Sequence, residues 1–131
     1  MHTFITHSDE VFDISFSPSG NKLASVSADS TGRVYNLLSD FNKKDELILV
    51  GHKKGVSKVS FNSQGTKILT GSDDGTLRVW DAADGEEIQL LEGHEDDVFS
   101  CAFNYESDII ISASKDNTCI IWKDMYSENL K

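Results

Sequence analysis

Three stretches of the chain carry the same kinds of hydroxyl, carboxylate and aromatic residues in nearly the same order. They are "VSADSTGRVYNL" (26–37), "TGSDDGTLRVWD" (70–81) and "SASKDNTCIIWK" (112–123). A histidine lies 22 residues before the shared aspartate each time, giving the pairs His7 and Asp29, His52 and Asp74, and His94 and Asp116. Serine, histidine and aspartate together form nucleophilic hydrolase sites, so these sets are candidates for catalysis.

The repetition argues against a catalytic interpretation. A nucleophilic serine is one exposed, polarised hydroxyl beside an oxyanion hole, and three equally spaced copies do not fit that description. A metal site fits no better, because the four histidines are one per set plus His2, with no further histidine or cysteine close enough in sequence to share a metal. We therefore expect no catalytic residue, no metal and no cofactor, and a small Ser/His/Asp hydrolase is the least favoured alternative.

The composition describes one acidic globular domain. Its 131 residues are 38% hydrophobic, which is enough for a buried core, and the formal net charge is -10. This charge disfavours binding to nucleic acid and to anionic membrane surfaces. The two cysteines, Cys101 and Cys119, lie in apolar runs and are too few for a disulfide framework, and no signal or membrane-spanning stretch is evident. These features predict a cytoplasmic protein.

The three histidines also mark an internal repeat with periods of 45 and 42 residues. In the second repeat, short segments rich in strand-forming residues alternate with turn residues. The segments are "VSKVSF" (56–61), "KILTGS" (67–72), "TLRVW" (76–80) and "EIQLLE" (87–92). Four short antiparallel strands per period of roughly 40 to 45 residues predict an all-β fold of three four-stranded β-propeller blades. The predicted units are about 1–46, 47–86 and 87–124, followed by a tail at 125–131.

The repeat contains the dipeptides "GH" at 51–52 and 93–94 and "WD" at 80–81, with the turn "SDDGT" before the latter. With these marks the chain resembles the WD-repeat family over nearly its whole length. More narrowly, three segments resemble the last three repeats of the WD-repeat dynein assembly factors of cilia and flagella: "EVFDISFSPSG" (10–20), "VSKVSFNSQGTKILTGS" (56–72) and above all "DDVFSCAFNYESDIIISASKDNTCIIW" (96–122). This resemblance implies a non-enzymatic adaptor that carries outer-arm dynein to the intraflagellar transport machinery. A general WD-repeat adaptor in ubiquitin ligation or signalling is the alternative.

The hydroxyl groups have an expected structural role. A buried tryptophan carries one N–H donor that needs an oxygen, and strand residues two apart share a face, so Thr70 or Ser72 can serve Trp80. The family resemblance implies a structural tetrad of Trp, Ser/Thr, His and Asp in each unit. The tetrad candidates are His7, Ser25, Ser27, Asp29, Tyr35, His52, Thr70, Ser72, Asp74, Trp80, His94, Ser112, Ser114, Asp116 and Trp122.

The first unit departs from the family pattern. Thr6 replaces the glycine before the histidine, Ser30 replaces the glycine after Asp29, and Tyr35 replaces tryptophan. We expect this tetrad to be incomplete and the first blade to be the loosest.

Charged loops provide candidates for partner binding. Lys53 and Lys54 follow His52, whereas Glu95, Asp96 and Asp97 follow His94 at the equivalent place. A basic spot should therefore lie beside an acidic one on the same rim, either as solvated loops or as a docking surface for proteins. The family resemblance adds Arg78 as an exposed strand residue.

Three blades are too few to close a ring, because known propellers have 4 to 8 blades. Thr3 to Ile5 is predicted to be an outer strand, and nothing after Trp122 is predicted to be one. A second copy would complete a ring of six blades. Alternatively the missing blades precede this chain in a longer protein, which the sequence favours.

Overall fold

The structure is a computed structural model that describes residues 1–38 and 45–123. It is all-β and has three antiparallel sheets, as the sequence predicts, but the sheets contain four, four and three strands, so the third is one strand short of the predicted four within the described residues. The first sheet contains β1 (Val11–Phe16), β2 (Lys22–Ser27), β3 (Thr31–Asn36) and β4 (Leu47–Val50). The second contains β5 (Val56–Phe61), β6 (Lys67–Ser72), β7 (Thr76–Asp81) and β8 (Glu87–Glu92). The third contains β9 (Val98–Phe103), β10 (Ile110–Ser114) and β11 (Cys119–Trp122).

Each sheet is a blade whose strands pair in chain order. The strands expected in the second repeat are confirmed, and β7 extends one residue further, to Asp81. Alternation of buried and polar residues is weak in the second blade because each of its two faces is covered by a different neighbouring blade. β6, for example, is buried at five of its six positions.

The two faces of a blade have different residues, and we call them front and back. The front of the second blade carries Val59, Ile68, Thr70 and Trp80, and its back carries Leu69, Leu77, Val79 and Leu91. Front residues of the second blade share one hydrophobic cluster with the back of the first blade, residues Ala24, Val26, Val34 and Leu49. Front residues of the third blade share the other cluster with the back of the second. At both junctions between blades, therefore, the front of one blade packs on the back of the preceding blade.

Polar contacts also cross the first junction. The Asp13 carboxylate accepts the Val59 N–H at 3.1 Å and lies 3.5 Å from the Lys58 ammonium. The Lys22 ammonium donates to the Ala82 carbonyl at 2.8 Å. These contacts help to align the blades, because a directional hydrogen bond is satisfied only at one relative position.

The structural blades are shifted by one strand from the sequence repeat. β4 precedes His52 in the second repeat but completes the first sheet. The expected strand at Thr3–Ile5 is wrong for the described chain, since no strand precedes Val11. The reason is that its partner would be the third strand of a preceding blade, and a β-strand needs a neighbour for its backbone hydrogen bonds.

Several predictions fall on residues outside those described. The middle of the expected surface loop at 36–46 and the tail at 125–131 belong to this group. The unit boundaries at 46 and 124 remain predictions. Within the described residues, no helix is long and apolar enough to cross a membrane.

Candidate functional site

The second blade contains a chain of four hydrogen-bonded side chains. The Trp80 indole N–H donates to Thr70 Oγ1 at 2.9 Å, and Thr70 Oγ1 lies 2.7 Å from His52 Nε2. His52 Nδ1 in turn lies 3.0 Å from Asp74 Oδ2. Trp80 and Thr70 are 1% exposed and His52 is 8% exposed, so the chain runs from the blade junction toward the surface.

The acceptor capacity of each group sets the direction of these bonds. An ionised carboxylate only accepts, so His52 Nδ1 carries the hydrogen that faces Asp74. Thr70 Oγ1 accepts the Trp80 N–H and makes its second hydrogen bond with His52 Nε2. Each of these four side chains therefore has hydrogen-bond partners, which removes the cost of about 1–3 kcal/mol for an unpaired buried donor.

Asp74 also holds the two loops that meet at this edge of the blade. One oxygen accepts the Lys53 N–H at 3.0 Å, and the other accepts both the N–H and the hydroxyl of Thr76 at 2.8 and 2.6 Å. Burial by itself would raise the pKa of Asp74, but the hydrogen bonds from His52, Thr76 and Lys53 outweigh burial and hold that pKa well below its usual value. The turn needs a positive φ of 82° at Gly75, a conformation that glycine adopts without strain.

The third blade builds the same arrangement. Trp122 Nε1 donates to Ser112 Oγ at 2.9 Å, Ser112 Oγ lies 2.7 Å from His94 Nε2, and His94 Nδ1 lies 2.9 Å from Asp116. Hydrogen bonding from the Thr118 side chain is the largest cause of a pKa of Asp116 well below its usual value. Asn117 takes the positive φ of the turn, at 71°.

The first blade forms its network from the candidates His7, Ser25, Asp29 and Tyr35, with Thr6 as an additional member. His7 lies 2.9 Å from Asp29 and 2.8 Å from Ser25 Oγ, as in the other blades. The Tyr35 hydroxyl lies 3.3 Å from Ser25 Oγ and 2.5 Å from Thr6 Oγ1. A phenol O–H therefore stands where the other blades have an indole N–H, so the expectation of an incomplete network is corrected.

The second hydroxyl of each candidate pair serves a different bond. Ser72 Oγ accepts the Asp74 N–H at 3.1 Å and donates to the Gly55 carbonyl at 2.8 Å. Ser27 and Ser114 hold the same position in their blades. These three serines are not hydrogen-bonded to the aromatic residue, because they lie two positions closer to the turn than Thr70, Ser25 and Ser112.

One set of residues escaped the sequence analysis. Thr31, Thr76 and Thr118 each donate a hydroxyl to the network aspartate, at 2.6, 2.6 and 2.5 Å. Their signal was present, because a threonine follows the aspartate by two residues in all three repeats.

The arrangement is suited to holding loops rather than to nucleophilic attack. Ser25, Thr70 and Ser112, whose hydroxyls face the histidines, are buried residues that are 4%, 1% and 3% exposed. A nucleophile must reach a substrate carbonyl, and these oxygens already bond the aromatic side chain. Among residues 1–38 and 45–123, no group of three or more His, Cys, Asp or Glu side chains is placed to hold a metal ion.

The three repeated blades agree with the result of a comparison with known protein families. The WD40 model, described as WD domain, G-beta repeat, matches residues 1–36, 43–81 and 85–123. The chain belongs to the WD40 family. A comparison with curated proteins finds no match. WD40 repeats are typically non-enzymatic surfaces for protein–protein interaction, and the networks described above join the loops of this WD40 chain to its strands.

The charged loops of this WD40 chain are held by hydrogen bonds to the network aspartates. Lys53, Lys54 and Glu95 are exposed, and Asp96 and Asp97 are partly buried. The N–H groups of Lys53 and Glu95 each donate to a network aspartate at 3.0 Å. Burial and the nearby Asp97 carboxylate raise the pKa of Asp73, and the nearby Lys54 ammonium opposes this rise.

Arg78 is not the exposed residue that was expected. Its guanidinium lies 2.5 Å from the Glu87 carboxylate, and its side chain is only 11% exposed. Arg33 pairs with Glu46 at 3.0 Å in the first blade. Glu87 is the first residue of β8, and Glu46 directly precedes β4, so each arginine meets a carboxylate at the start of the neighbouring strand. The role of Arg78 in partner binding stays a prediction.

Proposed function

We propose that this WD40 chain is a non-enzymatic adaptor that joins outer-arm dynein to intraflagellar transport proteins. It would act in the cytoplasm and at the cilium or flagellum and its base. The observation that carries the adaptor role is that all three Ser/Thr, His and Asp sets are used inside the blades, where they fix the loops. The dynein part is supported by the resemblance of residues 96–122 to the WD-repeat dynein assembly factors.

The geometry of the rim supports a docking surface. Asp74 and Asp116 bind the backbones of the two charged loops, so the exposed ends of Lys53, Lys54 and Glu95 project from anchored positions. Anchored loops lose little conformational entropy on binding, and adjacent charges of opposite sign orient a partner. A protein with a matching pair of acidic and basic patches is the chemistry that this rim suits.

Capture from an extract of ciliated cells tests the proposal. The tagged chain is expected to retain outer-arm dynein and intraflagellar transport proteins, and the double variant Lys53→Glu with Lys54→Glu is expected to lose most of both. Lys123→Glu is a matched control, because Lys123 is also exposed but lies at the end of β11. Circular dichroism confirms that both variants fold.

The proteins recovered decide between the two adaptor functions. Ubiquitin-ligase or signalling proteins in place of dynein would support a general WD-repeat adaptor and overturn the ciliary role. Equal recovery with the rim variant and the control would show that partners bind elsewhere.

A further inference from the structure

Phe12 is an exposed aromatic residue at the junction between the first and second blades. It is the extra residue of a β-bulge in β1, because the register of β1 and β2 shifts between Val11 and Asp13. A bulge re-aims a side chain out of the regular alternation of its strand. The ring of Phe12 lies beside Gly55 of the second blade and is still 47% exposed. The second blade is in place beside the ring, so this exposure belongs to the junction itself.

The equivalent residue at the next junction is polar. Ser57 is the extra residue of the bulge in β5. Its hydroxyl is within hydrogen-bonding distance of the Gly71 carbonyl, at 3.2 Å, and of the Val98 carbonyl of the third blade. A small polar side chain is therefore sufficient to join two blades at this position. The exposed ring of Phe12 goes beyond that requirement, and an exposed aromatic residue is a candidate for contact with a partner.

A carboxylate borders the same space as the ring. A Cβ atom added at Gly55 would lie 3.5 Å from Phe12 Cε2 and 3.3 Å from Asp73 Oδ2. Gly55 is partly exposed, so the space that its missing side chain leaves is open to solvent. The residues at the same distance from the histidine in the other two repeats are Glu10 and Asp97, which carry long or branched side chains. The second repeat therefore forms a small open space between an aromatic ring and a carboxylate.

The carboxylate of Asp73 is available to a ligand. Within the described part of the chain it makes no hydrogen bond and no ion pair, and only the backbone N–H of Asp73 is bonded, to the Gly55 carbonyl at 2.8 Å. Burial and the Asp97 carboxylate raise the pKa of Asp73. Lys54 and Lys115 act in the opposite direction, but neither forms an ion pair with it among the described residues. A positive group from a partner would therefore meet an unpaired negative charge.

We propose that the space between Phe12 and Asp73 binds an arginine side chain of a partner protein. A guanidinium stacks on an aromatic ring and donates hydrogen bonds to a carboxylate at the same time. A lysine ammonium is a strongly hydrated point charge and fits this pair of groups less well. Lys53 and Lys54 directly precede Gly55, so the site adjoins the charged loop of the docking rim. The inference rests on the proposed adaptor function and adds the side chain that the partner presents.

Titration of the isotope-labelled full chain with N-acetylargininamide, followed by NMR, tests the site. The backbone amide signals of Phe12, Gly55 and Asp73 are expected to shift together, with a dissociation constant in the millimolar range because one side chain makes few contacts. N-acetylcitrullinamide has nearly the same shape without the charge and is expected to leave these signals in place. N-acetyllysinamide is expected to bind more weakly than the arginine compound.

Two variants remove the two contacts separately. Asp73→Asn is expected to weaken binding about tenfold, because it removes the charge that pairs with the guanidinium. Phe12→Ser, which introduces the residue type of Ser57, is expected to weaken binding about threefold. Asp108→Asn and Tyr105→Ser are matched controls, because both side chains are exposed in the turn between β9 and β10, and both variants should bind as the unaltered chain does. The NMR spectra also show whether each variant is folded.

The results separate this site from the ciliary role. No shift at the three amides, equal shifts with the citrulline or lysine compound, or full binding by a folded Asp73→Asn variant would overturn the arginine site, whatever proteins the extract yields. Charge-dependent binding at these amides, together with capture of proteins other than dynein, would support the site and contradict the ciliary role alone.

Discussion

The first and third blades build one network from different residues, and the difference lies in two positions that act together. A Cβ atom added at Gly93 would lie 2.8 Å from Trp122 Cη2, closer than side-chain packing allows. The first blade has Thr6 at the equivalent place, and its hydroxyl bonds the phenol of Tyr35. The smaller aromatic ring leaves room for a side chain that the indole excludes. The aromatic residue and the residue before the histidine are therefore one coupled choice.

The prediction with the largest expected effect tests whether the first and second networks stabilise their blades equally. Asp74→Ala removes the acceptor for His52, Lys53 and Thr76, which we expect to lower the free energy of unfolding by about 3 kcal/mol. Asp29→Ala removes the same bonds in the first blade and should cost a similar amount. Urea denaturation measures both values.

Two results would change this comparison. A much smaller loss for Asp29→Ala would support the expectation that the first blade is the loosest. An unchanged midpoint for Asp74→Ala would show that the network contributes nothing to stability. Asp108→Ala, which alters an exposed carboxylate in a turn of the third blade, is the control and should change little.

A smaller effect tests the coupling of the two positions. Gly93→Thr should destabilise the chain by about 2 kcal/mol, because the new side chain presses on the indole of Trp122. Adding Trp122→Tyr should recover part of this loss, since the pair then matches Thr6 and Tyr35. A double-mutant cycle with no coupling between the two changes would contradict the interpretation.

The smallest effect is in the pH dependence of stability. The pKa values of Asp29 and Asp74 are lowered in the folded chain, so their contribution is present above the unfolded value of about 3.8 and is lost as the pH falls below it. Asp29→Asn and Asp74→Asn should each reduce the loss of stability in acid by a similar amount. Denaturation at several pH values between about 2 and 6 measures the slopes.

Asp73 is an internal control, because its pKa is shifted in the opposite direction from that of Asp74. Its pKa is raised in the folded chain, so its ionisation costs stability as the pH rises through that pKa. Asp73→Asn should therefore leave the acid limb intact and increase stability near neutral pH. Equal slopes for Asp73→Asn and Asp74→Asn would mean that the two neighbouring carboxylates do not differ in environment.

The sequence alone predicted the strands and the pairing of histidine with aspartate. Alternating turn residues bound β5, β6 and β8 at the expected positions, and the constant spacing of His52 and Asp74 predicted that they act together. Both signals are local or repeat along the chain. For that reason they are readable without knowing which residues meet in space.

Only the tertiary structure decided which of several suitable groups make contact. Strand register chose Thr70 over Ser72 for the indole, and pairing of β7 with β8 placed Glu87 against Arg78. Packing turned Thr6 and Tyr35 from two separate departures into one compensated pair. Such outcomes depend on distances of a few ångströms between residues far apart in sequence, and residue types alone do not determine those distances.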